Sequence, residues 1–174
     1  MTKTLPVALI QERNHADAEA NLAVIEARVT EAAKRGAKLV LLQELHNGAY
    51  FCQHQNVCEF ELAEAIPGPS TKRLGELAKA NNIRVVLTSI TPSTHFPWRP
   101  AMHPAEAIRQ RNAWLKQYSA SHGLVYVDFY PALANSEGGM KPDLTIDGVH
   151  PNEKGYAAMA PLVQAGIDQA LGGR

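Results

Sequence analysis

Apolar residues fall into short runs and helical spacings that alternate along the chain. Residues 5–11 (LPVALIQ) are a short apolar run, and beyond a polar stretch Leu22, Ile25, Val29 and Ala32 recur at helical period. This pattern predicts a strand followed by a helix. Gly36 suits the left-handed position that ends a helix, and residues 38–42 (KLVLL) read as a second buried strand. Residues 44–69 are irregular and carry Asn47-Gly48 and Pro67-Gly68-Pro69; Ser70 or Thr71 is then placed to cap a helix bearing Leu74, Leu77 and Ala78. Long loops in compact domains usually carry function.

Residues 84–90 (RVVLTSI) predict a third strand. A Pro-rich, aromatic loop runs to Pro104 and opens a helix with Ile108, Arg111, Leu115 and Tyr118 on one face. Residues 124–128 (LVYVD) predict a fourth strand. A loop with Gly138-Gly139 leads to Asp147-Gly148-Val149-His150-Pro151-Asn152. Asn152 is placed to cap a last helix carrying Tyr156, Met159, Leu162, Val163 and Ile167, which Pro161 is expected to kink. Strands alternating with helices imply an α/β fold: a mainly parallel sheet of about four strands in a three-layer α-β-α arrangement. Functional loops are expected at the carboxyl ends of its strands.

With 174 residues, the chain is expected to form a single domain with a sizeable core. Lys plus Arg and Asp plus Glu number 17 each and are dispersed, so composition supports neither a nucleic-acid partner nor a membrane partner. No apolar run approaches about 18 residues and the start lacks a secretory pattern, which makes the cytoplasm the expected compartment. Two cysteines, Cys52 and Cys58, are too few for a disulfide framework. Together with His54 they form a loose cluster of three candidate ligands at irregular spacing, short of the four that a structural zinc site requires. No metal and no cofactor are expected.

Residues 1–82 resemble the start of a nitrilase-superfamily amidase, of the N-carbamoylputrescine amidase type. The segments that carry the likeness are VALIQERNHADAEANL, RGAKLVLLQELHNGAYFCQ and IPGPSTKRLGELAK. The resemblance implies a Glu-Lys-Cys triad whose general base maps, through the QEL segment, onto Glu44. There the carboxylate takes the thiol proton, the lysine stabilises the oxyanion and the cysteine attacks. That family's lysine and cysteine lie further along, in sequence this chain does not contain, and neither Cys52 nor Cys58 matches the nucleophile.

Residues 83–174 instead resemble the closing half of an SGNH (GDSL-type) esterase. VVLTSITPSTHFPWRP, RNAWLKQYSASHGLVYVDFY and, most specific, TIDGVHPNEKGY carry this second likeness. It implies that Asp147 orients the imidazole of His150, which takes the proton from a serine. The serine of a Gly-Asp-Ser turn is missing: residues 11–14 here read Gln-Glu-Arg-Asn. Ser89 and Ser93 are the nearest substitutes, with local turn hydrogen bonding as their plainer role. Trp98 and Trp114 read as packing residues.

The two resemblances meet near Asn82-Ile83 and imply a chimera, an engineered scaffold recombined from two hydrolases and without efficient catalysis. Two alternatives stay open: a weak SGNH-like ester hydrolase using Asp147 and His150, and a carbon-nitrogen amidase of the N-carbamoylputrescine type. In a flavodoxin-like strand order 2-1-3-4, Glu44 and the Asp147–His150 pair follow strands at opposite ends of the sheet. They would stand roughly 14 Å apart, too far for a joint site. Apolar faces separated from their former partners favour a homodimer, with exchanged elements as one form of it.

Overall fold

The computed structural model describes residues 4–48 and 57–172. The chain has an α/β fold and divides into two compact units, Met1–Ile83 and Arg84–Arg174.

The first unit opens with strand β1 (Val7–Ile10), helix α1 (Ala18–Lys34) and strand β2 (Leu39–Leu42). β1 and β2 pair in parallel, from Val7 opposite Leu39 to Ile10 opposite Leu42. The predicted helix starts where Asp17 caps it: Oδ1 accepts from the Glu19 N–H at 2.9 Å and more distantly from that of Ala20. Leu22, Ile25, Val29 and Ala32 are all buried, as their spacing predicts. Burial of each of the three larger side chains contributes roughly 1.5–3 kcal/mol. Asn21 is also buried, and its amide exchanges two 2.8 Å hydrogen bonds with the backbone of His15, closing the connection from β1. After α1 comes Gly36 in the left-handed region, at φ 85°.

A 3₁₀ turn (Val57–Leu62) precedes helix α2 (Pro69–Ala80). Its N-cap is Gly68, not Ser70 or Thr71. The capping acceptor is Glu64, which receives the Ser70 N–H at 2.9 Å and the Ser70 hydroxyl at 2.7 Å. A carboxylate six residues upstream outcompetes the local hydroxyls because it takes both donors at once and carries the charge that a helix N-terminus favours. Arg73 of α2 grips Glu26 of α1 through Nε and Nη2, at 2.6 and 2.8 Å. This fork lowers the Glu26 carboxyl below its usual range.

In the second unit, β3 (Val86–Thr88) and β4 (Val125–Val127) pair in parallel around helix α3 (Ala105–Ser121). Val127, Phe129, Leu133 and Met140 form the core, against which Val86, Leu144, Ala158, Met159 and Leu162 pack. Two elements were not predicted: the short helix α4 (Tyr130–Leu133) and a 3₁₀ turn (Pro142–Leu144). Asn152 caps the last helix, α5 (Glu153–Ala170), by accepting the Gly155 N–H at 3.1 Å. Pro161 lies inside α5, which continues past it.

The buried faces of α3 and α5 differ from the expected ones. On α3, Ile108 is buried as predicted, but Asn112 and Ser119 accompany it, and Arg111 faces solvent. The Asn112 amide accepts the Ile90 N–H at 2.8 Å and donates to the Ile90 carbonyl at 2.9 Å, mimicking a strand edge beside β3. On α5, Tyr156 and Val163 are exposed, while Gly155, Gly166 and Ala170 are buried. A Cβ at Gly166 would lie 2.3 Å from Val127 Cγ2, so the close approach of α5 to β4 requires glycine there.

The pairings among the described residues are β1 with β2 in the first unit and β3 with β4 in the second. No helix of the described residues is long and apolar enough to cross a membrane.

Candidate active site

Asp147 and His150 sit in a loop that largely builds itself. Thr145 Oγ1 donates to the His150 carbonyl at 2.8 Å and accepts from the N–H groups of Asp147 and Gly148 at 3.3 and 2.9 Å. The Ile146 N–H reaches the same His150 carbonyl at 3.0 Å. At the base, Asn152 Nδ2 donates to the carbonyls of Asp143 and Thr145, so the residue that caps α5 also closes the loop. Gly148 adopts φ 86°, and the His95 ring lies 3.4 Å from the position that a Cβ would take. Local hydrogen bonding, rather than burial, therefore fixes the pair.

Within this frame Asp147 Oδ1 accepts from the backbone N–H groups of Val149 and His150 at 3.0 and 2.8 Å, and Oδ2 lies 2.8 Å from His150 Nδ1. The His150 N–H, then its side chain, then the Val149 N–H hold the Asp147 carboxyl down to about 2. An ionised carboxylate only accepts, so Nδ1 carries the imidazole proton and the Nε2 lone pair of the neutral ring is left for chemistry. The His150 side chain is 62% exposed and that of Asp147 is 32% exposed. A carboxylate held on Nδ1 with Nε2 left open is the geometry by which an aspartate orients a histidine general base.

The substitute nucleophiles are occupied elsewhere. Ser89 is buried at the end of β3, and its Oγ accepts from the N–H groups of Phe129 and Tyr130 at 2.8 and 3.2 Å. Ser93 is 2% exposed, and its hydroxyl donates to the His95 carbonyl at 2.7 Å. Ser93 makes the local bond that the plainer reading assigns it, whereas Ser89 bonds instead to the distant backbone that follows β4.

Glu44 lies in the turn after β2, exposed and without a side-chain hydrogen bond among the described residues. Its neighbour Gln43 is the structural residue instead: Oε1 accepts from the Glu12 N–H, and Nε2 donates to Asn14 Oδ1 at 3.1 Å. Asn14 Nδ2 in turn donates to the carbonyls of Leu45 and Gly48. Burial lowers the pKa of the nearby His46 below its ordinary value. Glu44 thus stands in the first unit, and the second unit brings Asp147 and His150 together. Cys52 and His54 lie outside the described residues, among which no group of three metal-ligating side chains occurs.

Sequence reading missed the surroundings of His150. Trp98 is not packed away: it is 54% exposed, with its ring centroid 6.0 Å from that of His150 and the planes tilted by 38°. Phe96 stacks on Trp98 at 5.5 Å and 13°. The available signal was the aromatic spacing in HFPW, one strand earlier than the site motif.

Residues 8–158 match the GDSL-like lipase/acylhydrolase family, and the chain belongs to it. A Bacteroides fragilis protein assigned as an acylhydrolase is structurally similar, with a TM-score of 0.62, 29% identity and coverage of 88% of this chain and 71% of that one. A GDSL-like lipase of Bacteroides thetaiotaomicron gives a TM-score of 0.60 at 28% identity and the same coverage. Partial stretches are similar to curated nitrilase-type proteins. A citrullinase of Francisella tularensis is 39% identical over 80 residues, 45% of this chain and 28% of its own length. An N-carbamoylputrescine amidase of Solanum lycopersicum is 38% identical over 78 residues, 44% of this chain and 26% of its own. The chain therefore spans little more than a quarter of the length of these two relatives.

Proposed function

We propose that this protein is a recombined hydrolase scaffold. In it residues 1–82, most of which also fall within the family match, resemble a nitrilase-type segment joined to the closing half of a GDSL-type hydrolase, and an Asp147–His150 pair remains with little hydrolytic power. The observation that carries this reading is the engagement of both candidate nucleophiles: Ser89 and Ser93 are buried and their hydroxyls hold backbone groups. Loss of the serine from such a triad removes several orders of magnitude of rate. On this reading the chain is a single domain in which β2-β1 and β3-β4 are the halves of one sheet of order 2-1-3-4, and a second copy covers the apolar residues of β1.

The formed pair and the family membership favour a second reading, weak hydrolysis of activated esters with His150 as general base. Hydrolysis of an activated acetate ester by the purified chain and by His150→Ala separates the two. The scaffold reading expects equal rates. A rate that collapses in the variant replaces it with the esterase reading. The amidase reading rests on the partial relatives alone, and Glu44 has neither of its triad partners beside it among the described residues.

A further inference from the structure

Trp98 stands exposed, stacked on a half-buried Phe96. Trp98 is more than half exposed, although a tryptophan brings one of the largest apolar areas that a side chain can bury. The loop that carries it is anchored from below: Pro92 is fully buried, Ser93 donates to the His95 carbonyl, and the Arg99 N–H donates to the Phe96 carbonyl at 2.8 Å across the turn. The two rings stack with their planes 13° apart, and the Trp98 ring borders that of His150. A rigid aromatic surface loses little conformational entropy when a ligand stacks on it, which is the economy of a pre-formed subsite.

We propose that Phe96 and Trp98 form a stacking ledge that takes the flat aryl group of an ester or amide, with the ester or amide group of that ligand set beside His150. The proposal names the ligand class for the His150 surface described above and rests on that surface facing substrate. Its test is a binding measurement, so it does not depend on turnover. A purely structural alternative has Trp98 propping the imidazole and binding nothing.

Saturation-transfer NMR on the full chain, with acetanilide as the aryl probe and N-ethylacetamide as the alkyl control, tests the ledge. Acetanilide ring protons are expected to receive saturation, with the alkyl amide binding about three- to tenfold more weakly. Trp98→Ala should abolish the acetanilide signal, Trp98→Phe should keep part of it, and Trp114→Ala should leave it unchanged. Binding that survives in His150→Ala supports the ledge even if no ester is hydrolysed, so the two readings fail separately. Equal binding of both amides, or acetanilide binding unchanged in Trp98→Ala, overturns the proposal. The retained ring in Trp98→Phe guards against a folding artefact.

Discussion

The two units bury their apolar residues very differently, although each is built from two parallel strands and a crossover helix. In the second, Val125 and Val127 of β4 are both buried, and the short strand feeds a core that includes Leu133 at 0% exposure. In the first, burial is confined to the α1 side of the sheet. Val7, Leu9 and Leu41 are 48%, 76% and 45% exposed, and Leu9 sits opposite Leu41 in the register, so these residues share one face. Parallel strands normally have both faces covered. The contrast shows that a complete sequence pattern for a buried strand does not ensure a complete set of covering elements.

The strongest way to break this comparison is to truncate one leucine from each unit. Leu133→Ala should cost about 2–5 kcal/mol, the usual range for emptying a packed core site. Leu9→Ala should change stability by no more than about 0.5 kcal/mol, as exposed positions do. Urea unfolding of the two variants measures both, and a large loss for Leu9→Ala would show that the exposed face of β1 is covered in solution.

A smaller effect is expected at the contact between α5 and β4. Gly166→Ala gains about 1 kcal/mol of helix propensity but forces a methyl against Val127, at an overpacking cost of about 1–3 kcal/mol. A lowered melting temperature, smaller in extent than that of Leu133→Ala, is the expected outcome. An unchanged or raised value would mean that α5 can move away from β4.

The most local effect concerns the Asp147 loop. Its carboxyl has a folded pKa of about 2, below the ordinary 3.8, so the ionised form is the one that folding favours. The stabilisation it brings is therefore full above about pH 4 and is lost as pH falls through about 2. The protection of the Val149 and His150 amides, relative to their intrinsic exchange rates at each pH, should fall down this range while the amides of β4 stay protected. Loss of protection at both together would show that the loop is coupled to the core.

Much of the site was legible in the sequence because its bonds are short-range. Asp147, His150 and the cap at Asn152 all act within a few residues of one another, and backbone geometry alone brings such groups together. The helix face of α1 was equally legible from its period. By contrast, the burial of Asn112 in place of Arg111 was not, since an amide is buried at a profit only where the facing Ile90 backbone offers both a donor and an acceptor. The cap of α2 by Glu64 was hidden for the same reason: Ser70 and Thr71 satisfy the local rule, and a more distant carboxylate satisfies the donors better.

By itself, the sequence determined the alternation of strands and helices, the buried stripe of α1 and the Asp147–His150 loop, because periodicity and hydrogen bonds over a few residues depend only on local order. Tertiary structure decided that Ser89 and Ser93 serve the backbone, that β1 leaves a face uncovered and that Trp98 stands bare beside His150. Those outcomes depend on which distant groups arrive as neighbours, and no local pattern contains that information.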